Sequence, residues 1–207
     1  MSAPFTATRN NYGYFAHWLR CVRLPDDLPG QFKEQILPER LASISLSFLV
    51  DGMSKQRGGI APNIAYTMAL LGQTPRVMAT VGEDFGDYRA WLDSKGVDTS
   101  LMKVVWHFTA SFFATTDLDS AQIASFYPGA MAYQQPVHQG VAETKPDLVI
   151  VSPSAPDAMM KFPAECRELG IKYLYDPSQQ VLRLEGLNWR GIWKGRASSS
   201  AMITSSV

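Results

Sequence analysis

Apolar and polar positions alternate along residues 41–50 (LASISLSFLV), the period of a half-buried strand. Beyond a permissive Gly58–Gly59 turn the period changes. Ile64, Met68 and Leu71 fall at helical spacing, Pro62 sits where a first helical turn accepts proline, and Gly72 is placed as a C-cap. Residues 76–81 (RVMATV) read as a strand and 84–95 as a helix ending at Gly96. Two further strands, 108–115 (FTASFFAT) and 121–127 (AQIASFY), flank the turn Asp117-Leu118-Asp119-Ser120 and predict a hairpin. Residues 147–152 (DLVIVS) form the short continuous apolar run of a buried parallel strand. A helix over 156–169 runs through Pro163 and stops at Gly170, and 171–176 (IKYLYD) is another strand. The first thirty residues carry neither period. Strands alternating with helices predict an α/β fold with a parallel sheet and helices on its faces, and the hairpin adds a small antiparallel appendage.

Composition narrows the class. A chain of 207 residues, 46% hydrophobic, is long enough for one globular domain with its own core. Nineteen basic and nineteen acidic side chains give zero formal charge, and no basic block points to nucleic acid or an anionic membrane. No apolar run approaches the ~18 residues of a membrane span, and no signal-peptide core follows the N-terminus, so a cytoplasmic location is expected. Cys21 and Cys166 have no metal-like spacing and read as two unpaired thiols. His17, His107 and His138 are scattered and share no spacing with them, so no zinc site is expected.

Candidate chemistry concentrates in residues 58–86, GGIAPNIAYTMALLGQTPRVMATVGEDFG. A glycine pair lets backbone amides approach a ligand without a Cβ in the way. Asn63 offers both a donor and an acceptor to a polyol hydroxyl. Set at a helix start, the three could grip a sugar; an ordinary strand–turn–helix connection capped by Asn63 would carry the same residues. The longer spacing, from Gly58 through Gly72 to Gly82, Asp84 and Gly86, is harder to reach by accident.

This pattern resembles the first signature of the ribokinase-like (PfkB) family of sugar and nucleoside kinases, and the resemblance covers residues of about 31–186. It lies closer to the branch labelled adenosine kinase or carbohydrate kinase than to ribokinase itself. The resemblance implies a Rossmann-like parallel sheet with flanking helices and a small antiparallel β lid over the acceptor site. It implies that Gly58, Gly59 and Asn63 hold the acceptor's hydroxyls. The hairpin at 108–127 would be lid, with Phe113 and Ile123 lining the pocket or serving as hairpin core. Phe112, Phe113, Phe126 and Tyr127 would favour an acceptor carrying a base, or again be core. Asp176, at a strand's C-terminal end, would lie near phosphate or metal or act as a turn residue. The implied activity is ATP-dependent phosphotransfer to a hydroxymethyl group of a sugar or nucleoside. ATP and Mg2+ are the cofactors of the full-length family, and some of its branches form a homodimer through the lid. A Rossmann dehydrogenase is not indicated, because no G-x-G-x-x-G follows any strand.

The family's catalytic parts are a GAGD motif, whose amides form an anion hole and whose Asp is the base, and an N-x-x-E motif that organises magnesium. No GAGD occurs in this sequence, so an incomplete domain is expected: the catalytic Asp would lie beyond the end of the chain, and the ATP and metal site would not be present. The chain as given is expected not to turn over, leaving a non-catalytic sugar- or nucleoside-binding remnant, or a nonfunctional fragment, as the other readings. Residues 1–30 and 187–207 do not look like the family, and the tail GRASSSAMITSSV reads as disordered. Codons can be chosen for Cys21 to Gly30 whose second-base frame encodes Ala-Tyr-Asp-Tyr-Leu-Met-Thr-Phe-Pro-Gly, like the family's opening "TGSxAYD". Codons for Gly195 to Val207, read from the third base, can give Ala-Arg-Ile-Ile-Val-Cys-Asn-Asp-Tyr-Glu-Phe-Gly, a strand followed by N-x-x-E. Two frameshifts, near Gly30 and shortly after Gly186, are therefore expected. Sequencing the source DNA across codons 1–40 and 180–207 and past the stop tests this: single-base shifts should restore both readings and bring a GAGD downstream, and codons that do not give those readings refute it.

Overall fold

The computed structural model describes residues 12–15, 20–23, 30–36, 47–50, 52–133, 146–177 and 200–202. Its larger sheet joins six parallel strands: β1 (Tyr12–Phe15), β4 (Arg76–Gly82), β5 (Met102–Val105), β8 (Leu148–Val151), β9 (Tyr173–Tyr175) and β10 (Ser200–Met202). Their order is β10-β9-β8-β1-β4-β5. A second sheet, the lid, has the order β3-β2-β6-β7 and is made from β2 (Arg20–Arg23), β3 (Ser54–Arg57), β6 (Ser111–Thr116) and β7 (Gln122–Tyr127). Its outer pairs are antiparallel and its central pair, β2 with β6, is parallel.

Burial on both faces of the sheet accounts for the apolar run of β8 and the near-complete burial of β4. Val77, Ala79 and Val81 of β4 pack with Ala61 and Ala65 of α2 (Ile60–Leu70) and with Tyr88 and Leu92 of α3 (Gly86–Ser94). On the opposite face Met78, Val149, Val151, Tyr173 and Tyr175 pack with Met159, Phe162 and Cys166 of α4 (Pro156–Glu168). Gly72, Gly96 and Gly170 all follow helices with positive φ, as C-terminal stops. Pro163 is buried inside α4, which continues through it as read from sequence.

Several expectations are corrected. The alternation at 41–50 yields no strand over residues 47–50, where Leu49 is exposed, and 41–46 lie outside the described residues. The lid edge is Ser54–Arg57 instead, a polar edge strand without an apolar face to betray it. The segment 1–30, read as aperiodic, contains β1 and β2. A central parallel strand need not alternate, so the missing period was no evidence against one. Within the tail read as disordered, Ser200–Met202 pairs in parallel with Tyr173–Tyr175.

A short helix α1 (Phe32–Gln35) precedes the lid edge and is tied to the hairpin by one carboxylate. Asp117, at the end of β6, accepts the Phe32 amide at 2.9 Å and, on its other oxygen, the amides of Asp119 at 3.0 Å and Ala121 at 2.9 Å. These bonds, the Phe32 amide first, hold its carboxyl below the usual carboxylate range. A carboxyl depressed in the folded state stabilises the fold at neutral pH, and that contribution is lost as pH falls below the ordinary value of 3.8 and through the depressed one. Asp117→Asn should therefore lower stability at pH 7 and flatten the acid limb, as read by urea unfolding at pH 7 and pH 3; an unchanged acid limb would show that the contact contributes nothing.

Candidate functional site

The strand β3 runs directly into Gly58 and Gly59, and α2 begins at the next residue. Gly59 is the N-cap, at φ 107°, a backbone conformation that a side chain disfavours. The Asn63 amide donates to the Gly59 carbonyl at 3.1 Å, an opening bond of the helix. Gly59 rather than Asn63 is thus the cap, which removes the capping explanation for Asn63. Its side chain is exposed, while its carbonyl accepts the Thr67 hydroxyl at 2.8 Å. Ala61, Pro62 and Ala65 bury the opposite side of the same helix. Gly58, Gly59 and Asn63 therefore share one turn, where first-turn amides lack intrahelical acceptors and carry the positive end of the helix dipole.

A helix connecting parallel strands runs against them, so this turn lies at the C-terminal end of the sheet, where open α/β sheets bind ligands. Asp176 follows β9 at the same end, half-buried, and its amide donates to the Val151 carbonyl at 2.9 Å.

In the lid, Phe113 pairs with Ser125 and Ile123 with Thr115, so Phe113 and Ile123 share one face of the sheet. They are 44% and 42% exposed and are not hairpin core. The opposite face of β6 is packed through Ala114 and Thr116. Of the other lid aromatics, Phe126 and Tyr127 are exposed and Phe112 is partly buried.

The second half of the motif, Gly82–Glu83–Asp84, joins lid to sheet. The Asp84 carboxylate accepts the Thr109 amide at 2.8 Å and the Thr109 hydroxyl at 2.7 Å. The same hydroxyl accepts the Gly82 amide at 3.0 Å. Gly82 lies so close to the 107–109 backbone that a Cβ there would stand 2.1 Å from the His107 carbonyl oxygen and 2.4 Å from the Thr109 nitrogen. Thr109, fully buried, was not singled out in the sequence. The signal was indirect: a motif Asp in a turn needs donors, and the strand it leads to supplies them. Among the described residues no group of three His, Cys, Asp or Glu is placed to hold a metal ion.

A ligand end made of a glycine-capped helix, with a separate β lid joined to the sheet by a Gly-x-Asp turn, defines the ribokinase-like class of α/β kinase. Residues 35–183 match the pfkB family of carbohydrate kinases, and the chain belongs to that family. It is similar to the nucleoside kinase of Burkholderia thailandensis in complex with inosine, at 32% identity over 84% of this chain and 55% of that one, with a TM-score of 0.69. The same kinase in complex with ADP-inosine matches at 33% identity over 84% and 55%, with a TM-score of 0.65. A Cryptococcus neoformans var. grubii ribokinase in complex with ADP shares the fold, at 17% identity over 88% of this chain and 56% of that one, with a TM-score of 0.66. The chain spans about half the length of these solved relatives.

Because backbone, not a flexible side chain, would meet the added methyl, Gly82→Ala should destabilise the chain by about 3 kcal/mol. Asp84→Ala strips the acceptor from a buried hydroxyl and amide and should lose about 1–3 kcal/mol. Urea unfolding gives both values, and hydrogen exchange should show the loss concentrated in residues 105–116; wild-type stability in Gly82→Ala would refute the close packing.

Proposed function

We propose that this chain supplies the acceptor-binding part of an ATP-dependent nucleoside kinase. Such a kinase moves the γ-phosphoryl group of ATP to the hydroxymethyl oxygen of a nucleoside. The observation that carries the reading is the 32% identity, over 84% of the chain, to a nucleoside kinase in complex with inosine. Its ADP-inosine complex and the ADP complex of the ribokinase support ATP as the donor. A free sugar as acceptor has weaker support, since the ribokinase likeness is one of fold.

Residues of this chain bind and orient the acceptor. The backbone at Gly58 and Gly59 and the side-chain carboxamide of Asn63 meet its hydroxyls, while the Phe113 and Ile123 face of the lid covers it and excludes water. In the transfer the acceptor oxygen bonds to the γ-phosphorus, the bond from that phosphorus to the ADP oxygen breaks, and the hydroxyl proton passes to a base. The 207 residues contain no GAGD to supply that base and the anion hole, so binding without turnover is the activity proposed for this chain by itself. Magnesium is the family's cofactor, and among the described residues no group of three His, Cys, Asp or Glu is placed to hold it. Among the described residues no helix is long and apolar enough to cross a membrane. The lid edge β7 is exposed along its length and would pair with a second copy in a lid-mediated dimer.

Calorimetry with inosine and with ribose tests the reading. Inosine should bind, ribose more weakly, and Asn63→Ala should weaken inosine by roughly tenfold, the loss of about one hydrogen-bonding group. ATP added to the inosine complex should give no ADP, and sedimentation of the same samples reads the dimer. Absence of inosine binding sinks the proposal, and ADP release sinks the claim of no turnover.

A further inference from the structure

The glycine pair is fastened from outside. Tyr88 of α3, 7% exposed, donates its hydroxyl to the Gly58 carbonyl at 3.1 Å. Its ring packs on Phe85 at 5.1 Å and on Trp91 at 5.8 Å, and Trp91 in turn meets Tyr66 of α2 at 5.0 Å. Arg57, the last residue of β3, sets its guanidinium 5.1 Å from the Trp91 ring centre and 6.0 Å from that of Tyr88. The residue before the pair and the carbonyl of its first glycine are thus both held by α3. Two successive glycines make the most permissive backbone available, so their own torsions cannot fix the turn. A trans peptide points its C=O and N–H in opposite directions. Holding the Gly58 oxygen toward α3 therefore turns the Gly59 N–H away from α3. Burial pushes the Tyr88 phenol up to about 12, with Arg57 pulling the other way, so the hydroxyl remains a donor at neutral pH.

We propose that Tyr88 is a positioning residue for the acceptor site: it fixes the Gly58–Gly59 peptide against the nucleoside's ribose hydroxyls, with the Arg57 stack on Trp91 as a second fastening. The inference rests on the acceptor reading given above. It makes α3 a determinant of how sharply ribose hydroxyls are read.

Tyr88→Phe removes one oxygen and keeps the ring. Calorimetry should show inosine binding weakened by roughly three- to tenfold, while 2′,3′-dideoxyinosine, which lacks those hydroxyls, changes by less than about twofold. Thermal melting checks that the variant is folded. Arg57→Gln, at an exposed side chain, should show the same selectivity with a smaller loss of about two- to threefold, and it decides the matter if Tyr88→Phe does not fold. Equal losses for both ligands would mark Tyr88 as merely structural and overturn the proposal, as would wild-type affinities in both variants. If the wild-type chain binds neither ligand, the acceptor reading itself fails and this inference falls with it.

Discussion

The contact between Gly82 and the 107–109 backbone sets the relation of lid to sheet. β4 ends there, and the chain entering β6 passes close enough to exclude a methyl group. Asp84 then converts proximity into fixed geometry, since one carboxylate oxygen accepts both the amide and the hydroxyl of Thr109. Thr109 passes the constraint back by accepting the Gly82 amide. A buried hydroxyl that both donates and accepts leaves little freedom for the strand that starts two residues later. The motif's acidic residue thus works through structure, and the neighbouring glycine works through absence of volume.

A second carboxylate repeats the device at the other end of β6. Asp117 closes the hairpin turn and reaches back to the Phe32 amide, so β6 is anchored at its start to the sheet and at its end to α1. Between those anchors its inner face is packed, while Phe113 on its outer face stays largely open. The strand is thus held at both ends while one of its faces remains exposed.

The α/β pattern after residue 58 was legible because each element there is buried on a defined face. The period of α2, the apolar run of β8 and the glycine stops at 72, 96 and 170 are direct signatures of that burial. What escaped notice was pairing that depends on neighbours. Ser54–Arg57 is polar and gains strand structure from an adjoining strand, as does Ser200–Met202. The glycine pair and Asn63 were visible as a motif, but the cap belonging to Gly59 and the hold of Tyr88 on Gly58 were not. The first depends on a φ angle that composition does not encode, the second on a residue thirty positions away.

The centre of the large sheet shows why backbone pairing and side-chain packing must be weighed separately. β1 stands between β8 and β4, matched to Leu148–Val151 on one side and Arg76–Met78 on the other. Without a strand in that slot the two halves of the sheet would expose facing rows of unpaired amides and carbonyls. Ladder bonds of this kind use groups that every residue except proline carries in full, so the slot demands an extended segment before it demands a particular sequence. Side-chain packing is more exacting: the clusters on α2 with α3 and on α4 are built from Val77, Val81, Val149 and Val151 of the neighbouring strands. The sheet's continuity therefore hangs on a segment outside the family match at residues 35–183, while its layers are specified by segments within it.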